Sequence, residues 1–205
     1  SISSGNVIIS GDIAHDADSD TTFGFGGGAD TFRVQTAGNE RLRINSNGYI
    51  GLGSDDWGSY DINARNVLIA SSGNTGITIR SGGATPFAMI HFADGISNAN
   101  EYRAGRIIYQ HELDSMTFNT ANVERVRIDG NGQVLPGTDN SQNLGSSTKR
   151  WANIYSADLH CSNKGSKNSV DGTWGDYTIQ EGESDLFLLN NRNGKKYKFV
   201  LQEVN

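Results

Sequence analysis

The sequence is poor in the residues that usually stabilise a small protein. One residue in 205 is cysteine, Cys161, so no disulfide can close within the chain. Proline occurs twice, and no apolar run approaches the ~20 residues of a membrane-spanning helix. Membrane insertion by a helix is therefore not expected. No basic cluster interrupts a net charge of −6, which argues against a nucleic-acid partner. The opening stretch, Ser1 to Asn6, has neither the charged nor the apolar region of a secretion signal, and no initiator methionine. The expectation is a piece of a longer chain. Against these shortages stand 26 glycines, a share well above the usual ~7%. Glycine adds turns and no apolar volume. A monomer of this composition would struggle to offset the entropy of its own ordering, so a core shared between copies is expected.

What is present is strand periodicity. Thr31-Phe32-Arg33-Val34-Gln35, Arg41-Leu42-Arg43-Ile44 and Gly76-Ile77-Thr78-Ile79-Arg80 alternate polar and apolar residues. Leu42 and Ile44 should face one way and the arginines the other. Turn signals follow at Asn47-Gly48, Asp94-Gly95, Asp129-Gly130, Asn131-Gly132 and Asn193-Gly194. One stretch has helical spacing: Trp151, Ile154, Tyr155 and Leu159, after Ser146-Ser147-Thr148. A single short helix or turn is expected over Thr148 to Leu159.

The chain also repeats itself. Asp30 to Gly53 aligns without gaps on Asp114 to Gly137, with Glu40-Arg41-Leu42-Arg43-Ile44 matching Glu124-Arg125-Val126-Arg127-Ile128. Glu40 and Glu124 are expected to pair with nearby arginines, within the chain or across to a neighbour. Upstream, His15 to Thr21 resembles His111 to Thr117 at a different offset, which leaves a glycine-rich insertion around Phe23 to Ala29 in the first copy. Such an insertion belongs in an exposed loop or an added hairpin. The expected organisation is a first β module over 1–66, a second over 67–137, and a C-terminal part over 138–205. That last part holds a linker, the short helix and a β cap. In the cap, the strands Asp185 to Leu189 and Lys195 to Leu201 are joined through Asn190 to Gly194. Its lysines alternate with Tyr197 and Phe199, so one face should be wet and the other buried.

Three segments together resemble bacteriophage tail-fibre proteins, particularly fibres of phages that infect cyanobacteria. They are the repeated Glu-Arg-x-Arg-Ile motif with its Asn-Gly; Asn74 to Gly82 continuing through Ile90 to Gly95 and Tyr109 to His111; and Asn143 to Tyr155. The resemblance covers most of the chain. It implies an all-β, intertwined homotrimer at the distal end of a virion tail, contacting the host cell surface without catalysis. The host partner would be a surface glycan or lipopolysaccharide, and other tail proteins would join on the N-terminal side. Whether the modules are hairpins, small sandwiches or a triple β-helix stays open, as do an enzymatic tailspike and a purely structural shaft or baseplate part.

Candidate chemistry is sparse. His15, Asp16, Asp18 and Asp20 place oxygen ligands at alternate positions, but no later bidentate glutamate follows, so no metal is assigned. Asp55-Asp56-Trp57 and Glu181-Gly182-Glu183-Ser184-Asp185 are the acid-rich pairs a glycosidase would need, and read better as solvated loops. No Gly-x-Ser-x-Gly elbow occurs, and His160 and Cys161, adjacent in a strand, would face opposite ways. No catalytic residue and no cofactor are assigned. Trp57, Tyr60, Trp174 and Tyr177 are aromatics in Gly/Ser/Asp-rich loops. They are the candidate receptor-binding residues, since rings stack on the apolar faces of sugars, with packing between chains as the alternative.

Overall fold

A computed structural model describes residues 11–26, 28–53, 61, 63–64 and 66–204. The chain is predominantly β and divides into two compact units, the first ending at Leu135 and the second beginning at Pro136. The first unit holds two sheets. In one, β1 (Asp12–His15), β2 (Asp18–Gly24), β3 (Phe32–Thr36), β4 (Asn39–Ile44), β5 (Ile50–Leu52) and β6 (Val67–Ile69) lie side by side in chain order. All neighbours are antiparallel except β5 and β6, which are parallel. The other holds β7 (Phe87–Phe92), β8 (Gly105–Gln110), β9 (Ser115–Thr120), β10 (Val123–Ile128) and β11 (Val134–Pro136), again in chain order. The second unit is a four-stranded meander of β12 (Asp158–Ser162), β13 (Asp176–Glu181), β14 (Leu186–Asn190) and β15 (Lys196–Lys198).

The matched hairpins β3–β4 and β9–β10 turn in the same way. Ala37 and Gly38 have φ of 50° and 69°, and Ala121 and Asn122 have 50° and 59°. Two positive φ values in a two-residue loop define the turn whose twist suits a hairpin. Each next connection ends on a glycine at positive φ, Gly48 at 77° and Gly132 at 81°. There Asn45 Oδ1 accepts from the amides of Asn47 and Tyr49, and Asp129 Oδ1 accepts from those of Asn131 and Gln133. Asn193-Gly194 likewise turns β14 into β15, with Gly194 at 74°. Asp94-Gly95 instead lies in the longer connection between β7 and β8, and Gly130 is not the left-handed residue of its turn. The upstream likeness of His15 to His111 does not survive in the topology. His15 ends edge strand β1, whereas His111 opens the 3₁₀ turn His111–Leu113 between β8 and β9. Counting back from the matched hairpins, β8 corresponds to β2 and not to β1. Of the glycine-rich stretch, Phe23 and Gly24 belong to β2, and the segment from Phe25 connects it to β3.

Of the short helix or turn expected over Thr148 to Leu159, no helix forms. Ser146 and Lys149 close a tight turn instead, with the Ser146 amide donating to the Lys149 carbonyl at 2.8 Å and the Lys149 amide to Ser146 Oγ at 3.0 Å. Leu159 belongs to β12, and Trp151, Ile154 and Tyr155 are exposed. A short amphipathic helix needs an apolar surface to dock on, and the chain offers these side chains none. The one short α-helix among the described residues is α1 (Ala99–Tyr102), between β7 and β8. Asn98 caps it by accepting from the Asn100 amide, and Glu101 accepts from the Ser97 amide at 2.9 Å. That is the Asn-x-x-Glu pattern of a helix start.

Ala37 pays the steric penalty of a left-handed residue that carries a Cβ, about 1 kcal/mol. The substitution Ala37→Asn creates the favoured Asn-Gly turn. It should raise the midpoint of thermal unfolding by a few degrees, and an unchanged or lowered midpoint would show that the turn carries no strain.

Candidate functional site

Strand pairing lines up the side chains of each sheet in rows, and in each sheet one face is almost wholly apolar while the other mixes polar and apolar residues. In the first sheet Phe23, Val34, Leu42 and Leu52 share a row, and Phe32, Ile44, Ile50 and Val67 share the next. In the second, Ile90, Ile107, Phe118 and Val126 form one row and Tyr109, Met116 and Ile128 another. In the third, Leu159, Ile179, Leu188 and Tyr197 align, with Cys161 beside Tyr177. None of these rows is buried. Phe23, Val67, Ile90, Leu159 and Tyr197 are all at least 40% exposed, and the one buried large apolar residue among those described is Leu68.

The polar faces, by contrast, are partly sealed. Ser115, Thr117 and Asn119 are buried on β9, while Met116 and Phe118 between them stand open. The cover over Ser115 is an ion pair. Arg127 meets Glu124 at 2.8 Å and also donates to Ser115 Oγ at 3.3 Å. Arg43 pairs with Glu40 in the same way in the first sheet. The expected glutamate–arginine pairing is thus made within the chain. Residues three apart in a regular strand face opposite ways. They meet here because the register slips: Gln35 pairs with Glu40 but Val34 with Leu42, which leaves Arg41 as an extra residue. Arg125 is skipped identically, between Glu124 and Val126. A bulge of this kind rotates the preceding residue onto the opposite face. The bulged arginines reach back to their own turn, Arg41 Nε to Thr36 Oγ1 at 2.8 Å and Arg125 Nε to Thr120 Oγ1 at 3.1 Å.

Of the four candidate receptor residues, Trp57 and Tyr60 lie outside the described residues, as does Asp55-Asp56. Trp174 precedes β13 and is half-buried, with the Arg192 guanidinium 3.9 Å from its ring centroid and Arg192 donating to its carbonyl at 2.6 Å. Tyr177 is not in a loop as expected. It sits in β13, and its hydroxyl accepts from Asn190 Nδ2 at 3.0 Å. The surrounding Gly172, Gly175 and Asp176 disguise a strand start as a loop. Tyr177 also lines a groove of about 440 Å³ with Cys161, Ile179, Leu188 and Tyr197. The third sheet's apolar face, expected to be buried, is therefore open within the chain.

His160 and Cys161 face opposite ways: His160 Nδ1 lies 2.9 Å from Thr178 Oγ1, and Cys161 pairs with Tyr177. In the acidic stretch after β13, Asp185 is held by Lys198 Nζ at 2.8 Å. No group of three histidine, cysteine or carboxylate side chains able to hold a metal ion occurs among the described residues. Asp18 and Asp20 point the same way on β2 and interact as a pair. A hydrogen bond from the Asp20 side chain lowers the Asp18 pKa, and the same bond raises that of Asp20. The like charge of Asp18 adds to the rise at Asp20.

Asp12 is better satisfied. Its carboxylate accepts from Arg33 at 2.5 and 3.1 Å and from the Gly26 amide at 2.8 Å, and the Arg33 bonds are the main reason its pKa is lowered. The contact needs glycine at position 24, where a Cβ would lie 2.7 Å from Asp12 Cα. No family model, curated protein or solved structure matches this chain.

The Asp12 carboxylate has a folded pKa below its unfolded value of about 3.9. Its stabilisation is complete above that value and lost as the pH falls through the folded one. The protection of β1 and β2 amides relative to their intrinsic exchange rates should therefore fall below about pH 4. In Asp12→Asn that protection should already be low at neutral pH and change less with acid. Identical profiles for the two proteins would contradict this.

Proposed function

We propose that this chain is a homotrimeric segment of a virion tail fibre that attaches to a host cell surface by binding and not by catalysis. The observation that carries the reading is the open apolar face on every one of the three sheets. The surface area supports it. The chain exposes 16091 Å², whereas two separate globules of the two units' masses would expose roughly 11,000 Å². An excess of several thousand square ångströms per chain is the scale of an obligate interface, about 2,000–5,000 Å² or more. A single β layer is stable once other copies supply the layer against which it packs.

The repeat supports the fibre reading. The β3–β4 and β9–β10 hairpins share turn dihedrals, bulge position, ion pair and arginine-to-threonine bond. A module used twice, each time leaving its apolar side open, builds an object by stacking and association. Trp174, with Arg192 over it, offers a ring and a cation to a host glycan or lipopolysaccharide. Tyr177 lies in the apolar groove and belongs to packing between chains. Three copies of one weak glycan patch would hold a cell firmly through avidity. Further tail proteins would join on the N-terminal side.

Fluorescently labelled protein incubated with a panel of bacterial cells and purified lipopolysaccharides tests this. Retention on at least one surface, abolished by Trp174→Ala and with no new reducing ends, is the expected result. New reducing ends would establish a polysaccharide-cleaving spike instead. Failure to bind any surface would contradict host attachment and favour a purely structural shaft.

A further inference from the structure

Charge is unevenly divided along this chain. The net −6 resides wholly in the first unit, the second unit is neutral, and every lysine lies in the second. Within the second unit the β12–β15 meander sorts its charges by end. The connection from β13 to β14, Gly182 to Asp185, is acidic, and Lys198 is held there by Asp185. The opposite end is made by the β12–β13 loop over 163–175 and the β14–β15 turn over 191–195. Arg192 of the turn lies over the Trp174 ring of the loop, so the two form one surface. That surface carries Lys164, Lys167, Arg192 and Lys195, all exposed.

The loop is fastened without the lysines. Asn163 Oδ1 accepts from the Gly175 amide at 2.6 Å. Asn168 Oδ1 accepts from the amides of Val170 and Asp171, and its Nδ2 donates to Asp171 and to the Thr173 carbonyl, both at 2.7 Å. The two carboxylates at this end are already engaged, Asp171 by Thr173 and Asn168, and Asp176 by Asn191 Nδ2 at 2.9 Å. Among the described residues the ammonium groups of Lys164, Lys167 and Lys195 make no hydrogen bond or ion pair. Arg192 uses only Nη1, on the Trp174 carbonyl, which leaves its Nε and Nη2 edge open.

We infer that this end of the meander binds an acidic glycan, a sugar chain bearing carboxylate or phosphate groups. The inference rests on the host-attachment reading above and narrows its ligand. The open edge of Arg192 is a fork that takes either anion bidentately, and the lysines add point charges beside it. The loop is ordered before any ligand arrives, so binding does not bear the cost of ordering it. Charge complementarity calls for acid groups, and the indole beside Arg192 calls for a sugar ring, whose apolar face it can cover. Nucleic acid, with a charge on every residue, is disfavoured by the chain's net −6.

Binding of the intact protein to immobilised hyaluronate, a phosphorylated mannan, dextran and a single-stranded oligonucleotide tests this. The protein should bind hyaluronate or the mannan and leave dextran; which of the two it binds names the acid group. Lys164→Gln with Lys167→Gln should weaken that binding about three- to tenfold at low salt, and less at high salt. Arg80→Gln with Lys149→Gln removes the same charge elsewhere and should change it little. Failure to bind either acidic polymer, equal binding to dextran, equal loss in both double variants, or tighter binding to the oligonucleotide overturns the acidic glycan. If cells still retain the parent in the assay above, host attachment stands without it. A parent that binds neither cells nor acidic polymers overturns both.

Discussion

The constraint that governs this chain is that each of its sheets has an apolar face over which the described residues place no second layer. A β layer is stable when that face is packed against another layer. The rows Phe23–Val34–Leu42–Leu52, Ile90–Ile107–Phe118–Val126 and Leu159–Ile179–Leu188–Tyr197 each span several strands and end at solvent. The burial that does occur is on the wrong side for a monomer. Ser115, Thr117 and Asn119 are covered while the Phe118 ring between Thr117 and Asn119 is open. Only Leu68 among the described large apolar residues is buried. Burial of apolar area is the dominant favourable term in folding, about 25 cal/mol per Å². In the proposed trimer that area would be recovered between copies.

The polar faces show why the sheets can nonetheless have definite shape. Each repeated hairpin is locked by the same device: a left-handed two-residue turn, an extra arginine that reaches back to the threonine before the turn, and a glutamate rotated by the bulge onto an arginine three residues on. The device is local, so it specifies register without a core. It also leaves Phe32, Val34, Leu42 and Ile44 together on the opposite face. In the proposed fibre the polar sides would face water and the apolar sides the common axis.

Much of this was legible in the sequence. Alternation placed β3 and β4 and the repeat placed β10, whereas the strand expected over Lys195 to Leu201 is only Lys196–Lys198 and Gly76 to Arg80, which alternates as well, forms no strand; Asn47-Gly48, Asn131-Gly132 and Asn193-Gly194 marked real turns. The bulges at Arg41 and Arg125 were not legible, because strict alternation assumes that no residue is skipped, and with it Glu40 falls on the face opposite Arg43. The helix expected around Trp151 failed for a related reason. Helical spacing describes which side chains could share a face, and says nothing of whether a surface exists to receive them. The capping pattern before α1 was present in Asn98 and Glu101 and outweighed by the glycines and asparagines around it. Tyr177 read as a loop residue because glycines and an aspartate precede it. The open faces were foreshadowed only by composition, through many glycines and few large side chains, since a sequence shows which residues are apolar but not whether anything covers them.

The central claim is that the core of this protein lies between chains. Its most direct test is solution mass by light scattering, with the protein diluted to micromolar concentration in neutral buffer. The account predicts a single species of three times the 22.1 kDa chain mass. A stable, folded species of one chain mass would contradict it.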